Sequence, residues 1–241
     1  MQYYLGGYYL IRRRPIDFGT LNSKIVFTCS NCINDSLLDH WSYSWTTNNN
    51  ALIEDIKNDC QLSQDDIGSI REWVDDAFNN NRIGWINLFY DLDVVKEYYK
   101  KFFSHLSDVQ IIGVYFSTTE INDILVDLKT LKDGSGAIGL YENLSKMIPE
   151  TESEEEVFIG YDVVGIEWDG GFHTFYCHDI SKDLVDKFKL EINEYGLFKE
   201  KENWAPITEY MNDQENGFKS VPWFVCKEKL VKEQGGRQYD N

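Results

Sequence analysis

Two cysteines three apart, Cys29 and Cys32, carry the spacing with the most chemical meaning, because thiolates at that separation on a tight turn chelate zinc. A zinc site needs two further ligands, and His40, His173, Cys177 and His178 are the candidates. If residues 157–178 are extended, His173 and Cys177 stand about 13 Å apart at ~3.3 Å per residue, and Cys177 and His178 face opposite sides. At most one or two of them then join Cys29 and Cys32, and the competing reading is a set of buried, reduced thiols. As a redox motif the pair follows a strand but opens no clear helix. A nucleophilic Cys177 or Cys32 needs His173 or His40 as its base, and nothing in the sequence positions either pair.

Acid–base chemistry has its own candidates in Asp75-Asp76 and Asp91-x-Asp93. In so acidic a chain these read as a solvated helix face and a helix start. Gly134-x-Gly136 lacks the basic or capping residues of a phosphate cradle. No catalytic signature emerges, and no cofactor is expected. A metal-dependent or Cys/His enzyme, or an accessory subunit of a larger assembly, stays open beside a binding role.

Binding chemistry is better supplied. Asp35, Asp39, His40 and Trp41, with Trp168 and Asp169 at a hairpin tip, mix rings with carboxylates. Rings give large contact area at low entropic cost, and carboxylates select a Lys/Arg-rich patch. The 241 residues hold 41 Asp plus Glu against 23 Lys plus Arg, a formal charge of -18. Such a surface repels nucleic acid and anionic membranes and accelerates association with a basic protein. Five cysteines without framework spacing, and no run of ~18 apolar residues, point to a cytoplasmic protein.

The elements that must position these residues read as an α+β (mixed α/β) fold with a central, mostly antiparallel sheet and flanking helices. The chain centres on 157–178, two antiparallel strands broken at Trp168-Asp169-Gly170-Gly171. Its first arm places Val157, Ile159 and Val163 on one face and Phe158, Val164, Ile166 and Trp168 on the other, so neither face looks meant for water. Strands are expected over 3–12, 24–29, 109–116 and 220–230, with Pro222 at an edge or a strand start. Helices are expected after Ser63, after Asp91, after Ser117, within 138–148, over 181–188 and over 204–211. The run Glu150 to Glu156 holds five carboxylates in seven residues and reads as an exposed linker, the best boundary in a chain otherwise taken as one domain, 1–241. No internal repeat is apparent.

The segments Leu5-Gly6-Gly7-Tyr8-Tyr9-Leu10, Ser30-Asn31-Cys32-Ile33-Asn34-Asp35, Gly160-Tyr161-Asp162, Phe172-His173-Thr174-Phe175, Asn193-Glu194-Tyr195-Gly196-Leu197 and Val221-Pro222-Trp223-Phe224 resemble those of small acidic bacterial proteins, the immunity proteins of polymorphic toxin systems. The resemblance implies a protein that binds and neutralises a cognate toxin, with a basic nuclease as the type that suits the charge. It assigns no site residue.

Overall fold

The computed structural model describes residues 1–12, 26–30, 33, 54, 57–84, 88–132, 139–167, 171–177, 186–199 and 203–232. Five strands form one curled antiparallel sheet: β1 (Tyr3–Arg12), β2 (Val109–Ser117), β3 (Glu156–Ile166), β4 (Phe172–Thr174) and β5 (Trp223–Val231), in the spatial order β1-β2-β5-β3-β4. The sheet therefore spans both sides of the acidic run. Helices α1 (Gln64–Asn79), α2 (Leu92–Phe102), α3 (Thr118–Lys132), α4 (Leu140–Ser145) and α5 (Ala205–Asn212) flank it.

The local signals act as chemistry predicts. Ser63 accepts from the Asp66 N–H while Asp66 answers to the Ser63 N–H, a closed capping box for α1. Asp91 caps α2 by accepting from Val94, with Asp93 in the first turn, and Asp75 and Asp76 are exposed on α1. The Glu120 N–H donates to Ser117 Oγ at 3.3 Å where β2 turns into α3. Pro222 precedes β5, a central strand, so it marks a strand start.

Four expectations are corrected. Residues 26–30 form no strand ladder, and the Phe27 N–H donates to the Tyr195 carbonyl at 3.0 Å. The second arm of the hairpin stops after three residues and winds into a 3-10 turn over Phe175–Cys177. A strand would send Phe175 and Tyr176 to opposite faces, whereas the turn buries both. In the first arm, a bulge between Phe158 and Gly160 shifts Ile159 to the face of Val164 and Ile166, while Val157 and Phe158 are 39% and 44% exposed. Finally, the chain does repeat itself.

The repeat is legible in register. β1 pairs with β2 through a bulge between Leu5 and Gly7, and β3 pairs with β5 through a bulge between Phe158 and Gly160. Beyond each bulge a tyrosine, Tyr8 or Tyr161, bridges to a phenylalanine, Phe89 or Phe198, that itself bridges to an isoleucine, Ile83 or Ile192. Asn143 Nδ2 donates to the Gly6 carbonyl at 3.0 Å and Asn193 Nδ2 to the Ile159 carbonyl at 2.6 Å. β2 and β5 meet at the centre, where Ile112 pairs with Leu230 and, reciprocally, Phe116 with Cys226, about the Val114–Glu228 pair. The halves are thus related by a pseudo-twofold axis through that pair.

On one face of the sheet α1 and α2 pack over β1 and β2, and α5 packs over β3 and β5, as two equivalent cores. The opposite face is a single core shared by both halves, closed by α3, α4 and Phe27.

Candidate functional site

The connection between the halves lies on the first face, in the gap between the two helical cores. Chemistry expects five carboxylates in seven residues to stay solvated. The run is instead held down at its two ends. Glu150 accepts from Lys227 Nζ at 2.6 and 2.9 Å and sits 2.5 Å from Lys229 Nζ. Glu155 pairs with Lys96 of α2 at 3.0 Å, and Glu156 accepts from the Tyr115 hydroxyl at 2.8 Å. Burial works against charge on Glu150, yet the two ammonium groups outweigh it and leave its carboxyl below the ordinary range. Glu152 and Glu154 point into solvent. The expected exposed linker is therefore a strap, pinned by three of its glutamates and presenting the other two.

Rings line the floor beside the strap. Tyr3 of β1 lies 6.4 Å from Tyr161 of β3, centroid to centroid, and Tyr161 contacts Phe158 at 5.2 Å and Trp204 at 5.7 Å. Lys227 Nζ stands 5.0 Å over Tyr3 and 5.5 Å over Phe158, and Lys229 Nζ 5.1 Å over Tyr115. The face already holds ammonium groups between rings and a carboxylate.

At its far end, Tyr3 and Trp204 wall a cleft of about 580 Å³ that also receives Glu120, Asp123 and Asp127 from α3. Their spacing of three and seven puts them on one side of the helix. Burial, the Asp123 charge and a bond to the Val225 N–H act on Glu120, with burial largest, and its pKa is pushed up to about 7. Burial, then Asp123, also raises Asp127. The charges of Glu150 and Glu120, on separate elements, both reach the Tyr3 hydroxyl, after burial and its Tyr161 hydrogen bond the main causes holding its proton on. One surface therefore carries an aromatic row with carboxylates on both flanks, chemistry that takes cations: Lys and Arg side chains.

Asp35, Asp39, His40, Trp41, Trp168 and Asp169 lie outside the described residues, as do Cys32, His178, Gly134 and Gly136. Cys29 is buried in the shared core, its thiol pushed up by burial and by Glu228, Cys226 and Asp162. Cys177 Sγ lies 3.2 Å from Ser30 Oγ. His173 Nε2 is 2.7 Å from Glu167 Oε1 and 2.9 Å from Lys219 Nζ, and Lys219 also pairs with Glu167, an ionic knot at the base of the hairpin. Among the described residues, no group of three or more His, Cys, Asp or Glu is placed to hold a metal ion. No described helix is long and apolar enough to cross a membrane.

Sequence reasoning missed Tyr3, Tyr161, Trp204 and the α3 carboxylates. The available signal was the Glu120, Asp123, Asp127 spacing, hidden by its amphipathic neighbours Ile121 and Ile124. Comparison of the chain with protein-family models, with characterised proteins and with solved structures finds no match.

Proposed function

We propose that the chain is a non-enzymatic binding protein that docks onto a basic partner and blocks it, as an immunity protein does to its toxin. The observation that carries this reading is the aromatic row Tyr3, Tyr161, Trp204 and Phe158, flanked by Glu120, Asp123 and Asp127 on one side and Glu152 and Glu154 on the other. Rings supply contact area, and the net charge of -18 steers a cationic surface toward them. An acidic face seated on a nuclease occupies the groove that otherwise takes nucleic acid, which is inhibition by charge mimicry.

Co-expression with the product of the neighbouring reading frame, followed by affinity capture and assay of that product, tests the proposal. A complex that forms at low salt and silences a basic enzyme is the expected result. A neighbour that stays active and unbound beside the folded chain contradicts it.

A further inference from the structure

We propose that the edge of β3 at Glu156, Val157 and Phe158, open among the described residues, docks an extended, Lys/Arg-rich segment of the partner, which adds a short strand there. The molecule contains the template. At the matching edge of β1, the Leu5 N–H donates to the Ile148 carbonyl at 2.9 Å, the Glu150 N–H donates to the Tyr3 carbonyl at 2.8 Å, and Tyr4 bridges to Pro149. The pseudo-twofold carries Tyr3, Tyr4 and Leu5 onto Glu156, Val157 and Phe158.

On this second edge the Glu156 N–H donates to the Ser153 carbonyl at 3.4 Å, a turn of the strap itself, and no other described residue covers it. Lys232 donates to the Glu155 carbonyl at 2.7 Å, which turns the 155 and 157 peptide groups toward β5 and leaves the Glu156 carbonyl and Phe158 N–H facing away. Among the described residues, no hydrogen bond from beyond the sheet reaches either group. The rest of that edge is closed, by Phe198 at Tyr161 and by β4 at Val164–Ile166, so the gap is about three residues long. Leu5 is 6% exposed under its cover, and its counterpart Phe158 is 44% exposed. Folded proteins blunt or cover such apolar edges because they template strand addition.

Charge selects the occupant. Glu152 and Glu154 stand exposed beside the gap, with Glu156 in it. A basic segment is attracted there, whereas a second copy of a chain carrying -18 is repelled. The inference rests on the proposed binding role and names the element through which it acts.

Amide hydrogen exchange of the full chain, alone and with a synthetic decapeptide alternating lysine and valine, tests it. In dilute protein the Phe158 amide exchanges fast while the Leu5 amide is slow. The peptide slows Phe158 by about tenfold or more and leaves Leu5 unchanged. A Phe158→Lys variant that keeps a slow Leu5 amide, and is therefore folded, loses that protection at position 158. A Phe158 amide already as slow as Leu5, one indifferent to the peptide, or one slowed equally by a glutamate–valine peptide overturns the proposal. Protection that grows with protein concentration alone overturns it in favour of self-association. Capture of a basic partner with Phe158 still exchanging freely removes this edge and leaves the binding role standing.

Discussion

Two buried acids separate the halves most sharply at the residue scale. Asp162 and Glu228 point into the shared core where the other half carries Tyr9 and Val114. Asp162 is fully buried; Thr174 Oγ1 donates to it at 3.1 Å, the Val163 N–H at 2.8 Å, and Thr28 closes the set. Burial outweighs these donors and pushes its pKa up to about 7. An acid whose folded pKa exceeds its unfolded value of 3.8 binds more protons when folded, so its contribution is complete below about pH 4 and is lost as pH rises toward 7. Asp162→Asn keeps the shape and, at Oδ1, the acceptor for Thr174 and Val163, while the Thr28 hydroxyl can turn to accept from the new amide. We expect it to flatten the fall in stability across that window, by roughly 1.4 kcal/mol for each pH unit between the two values, in urea titrations at several pH values. An unchanged pH profile contradicts this.

Glu228 has neither carboxylate oxygen in a hydrogen bond among the described residues, and burial, then Asp162, raises it well above the ordinary range. The Cys29 N–H pulls the other way without reaching hydrogen-bond geometry. Replacing such a group by an apolar one of similar volume removes a desolvation cost. Glu228→Met is expected to raise stability by about 1–3 kcal/mol, measured as a higher urea midpoint at unchanged slope. The sequence hid Asp162 because the bulge before Gly160 inverts the alternation of β3, and it hid Glu228 because that residue stands between Lys227 and Lys229 in a charged run that reads as solvated.

The bulge glycines decide register at the element scale. Gly7 and Gly160 adopt φ of +155° and +150°, and a Cβ on Gly160 would meet Leu197 Cβ at 2.6 Å. Gly160→Ala is expected to cost about 1–3 kcal/mol in thermal melts. Gly68, inside α1 with open space around it, gives the opposite sign: Gly68→Ala gains about 0.5–1 kcal/mol. A gain at Gly160 would sink the account of the bulge. The strap makes a further case, since Glu150→Gln leaves Lys227 and Lys229 short of their anion and should lower stability by about 1–3 kcal/mol.

Caps and periodicity announced these helices and β2 correctly, because Ser63, Asp91 and an unbroken apolar run act through neighbours in sequence. Of the helix expected over 181–188, residues 186–188 are described and helical. The strap and the duplication were not legible, because both depend on partners more than 40 residues away, such as Tyr115 for Glu156 and Lys227 for Glu150. Short echoes of the repeat do stand in the sequence: Gly7-Tyr8 with Gly160-Tyr161, and Ile83-x4-Leu88-Phe89 with Ile192-x4-Leu197-Phe198.

For the whole molecule, part of the acidic excess behind the charge of -18 has a definite place. Carboxylates of α3 and of the strap converge on one aromatic surface, on different residues from those the sequence put forward. The chemical class of this surface, rings among acids, is the one the sequence put forward at residues that lie outside the described ones; Tyr3, Tyr161, Trp204 and the α3 carboxylates were not legible as a group, because strands and helices far apart in sequence assemble them. The most direct measurement is the association rate with the captured basic partner, for the natural chain and for a variant neutralised at Asp123, Asp127, Glu152 and Glu154. The rate is predicted to fall by about tenfold or more between about 0.01 and 0.15 M salt, as screening shortens from roughly 30 to 8 Å, and the variant to lose most of that dependence. Equal rates and equal salt dependence for the two proteins would contradict the account.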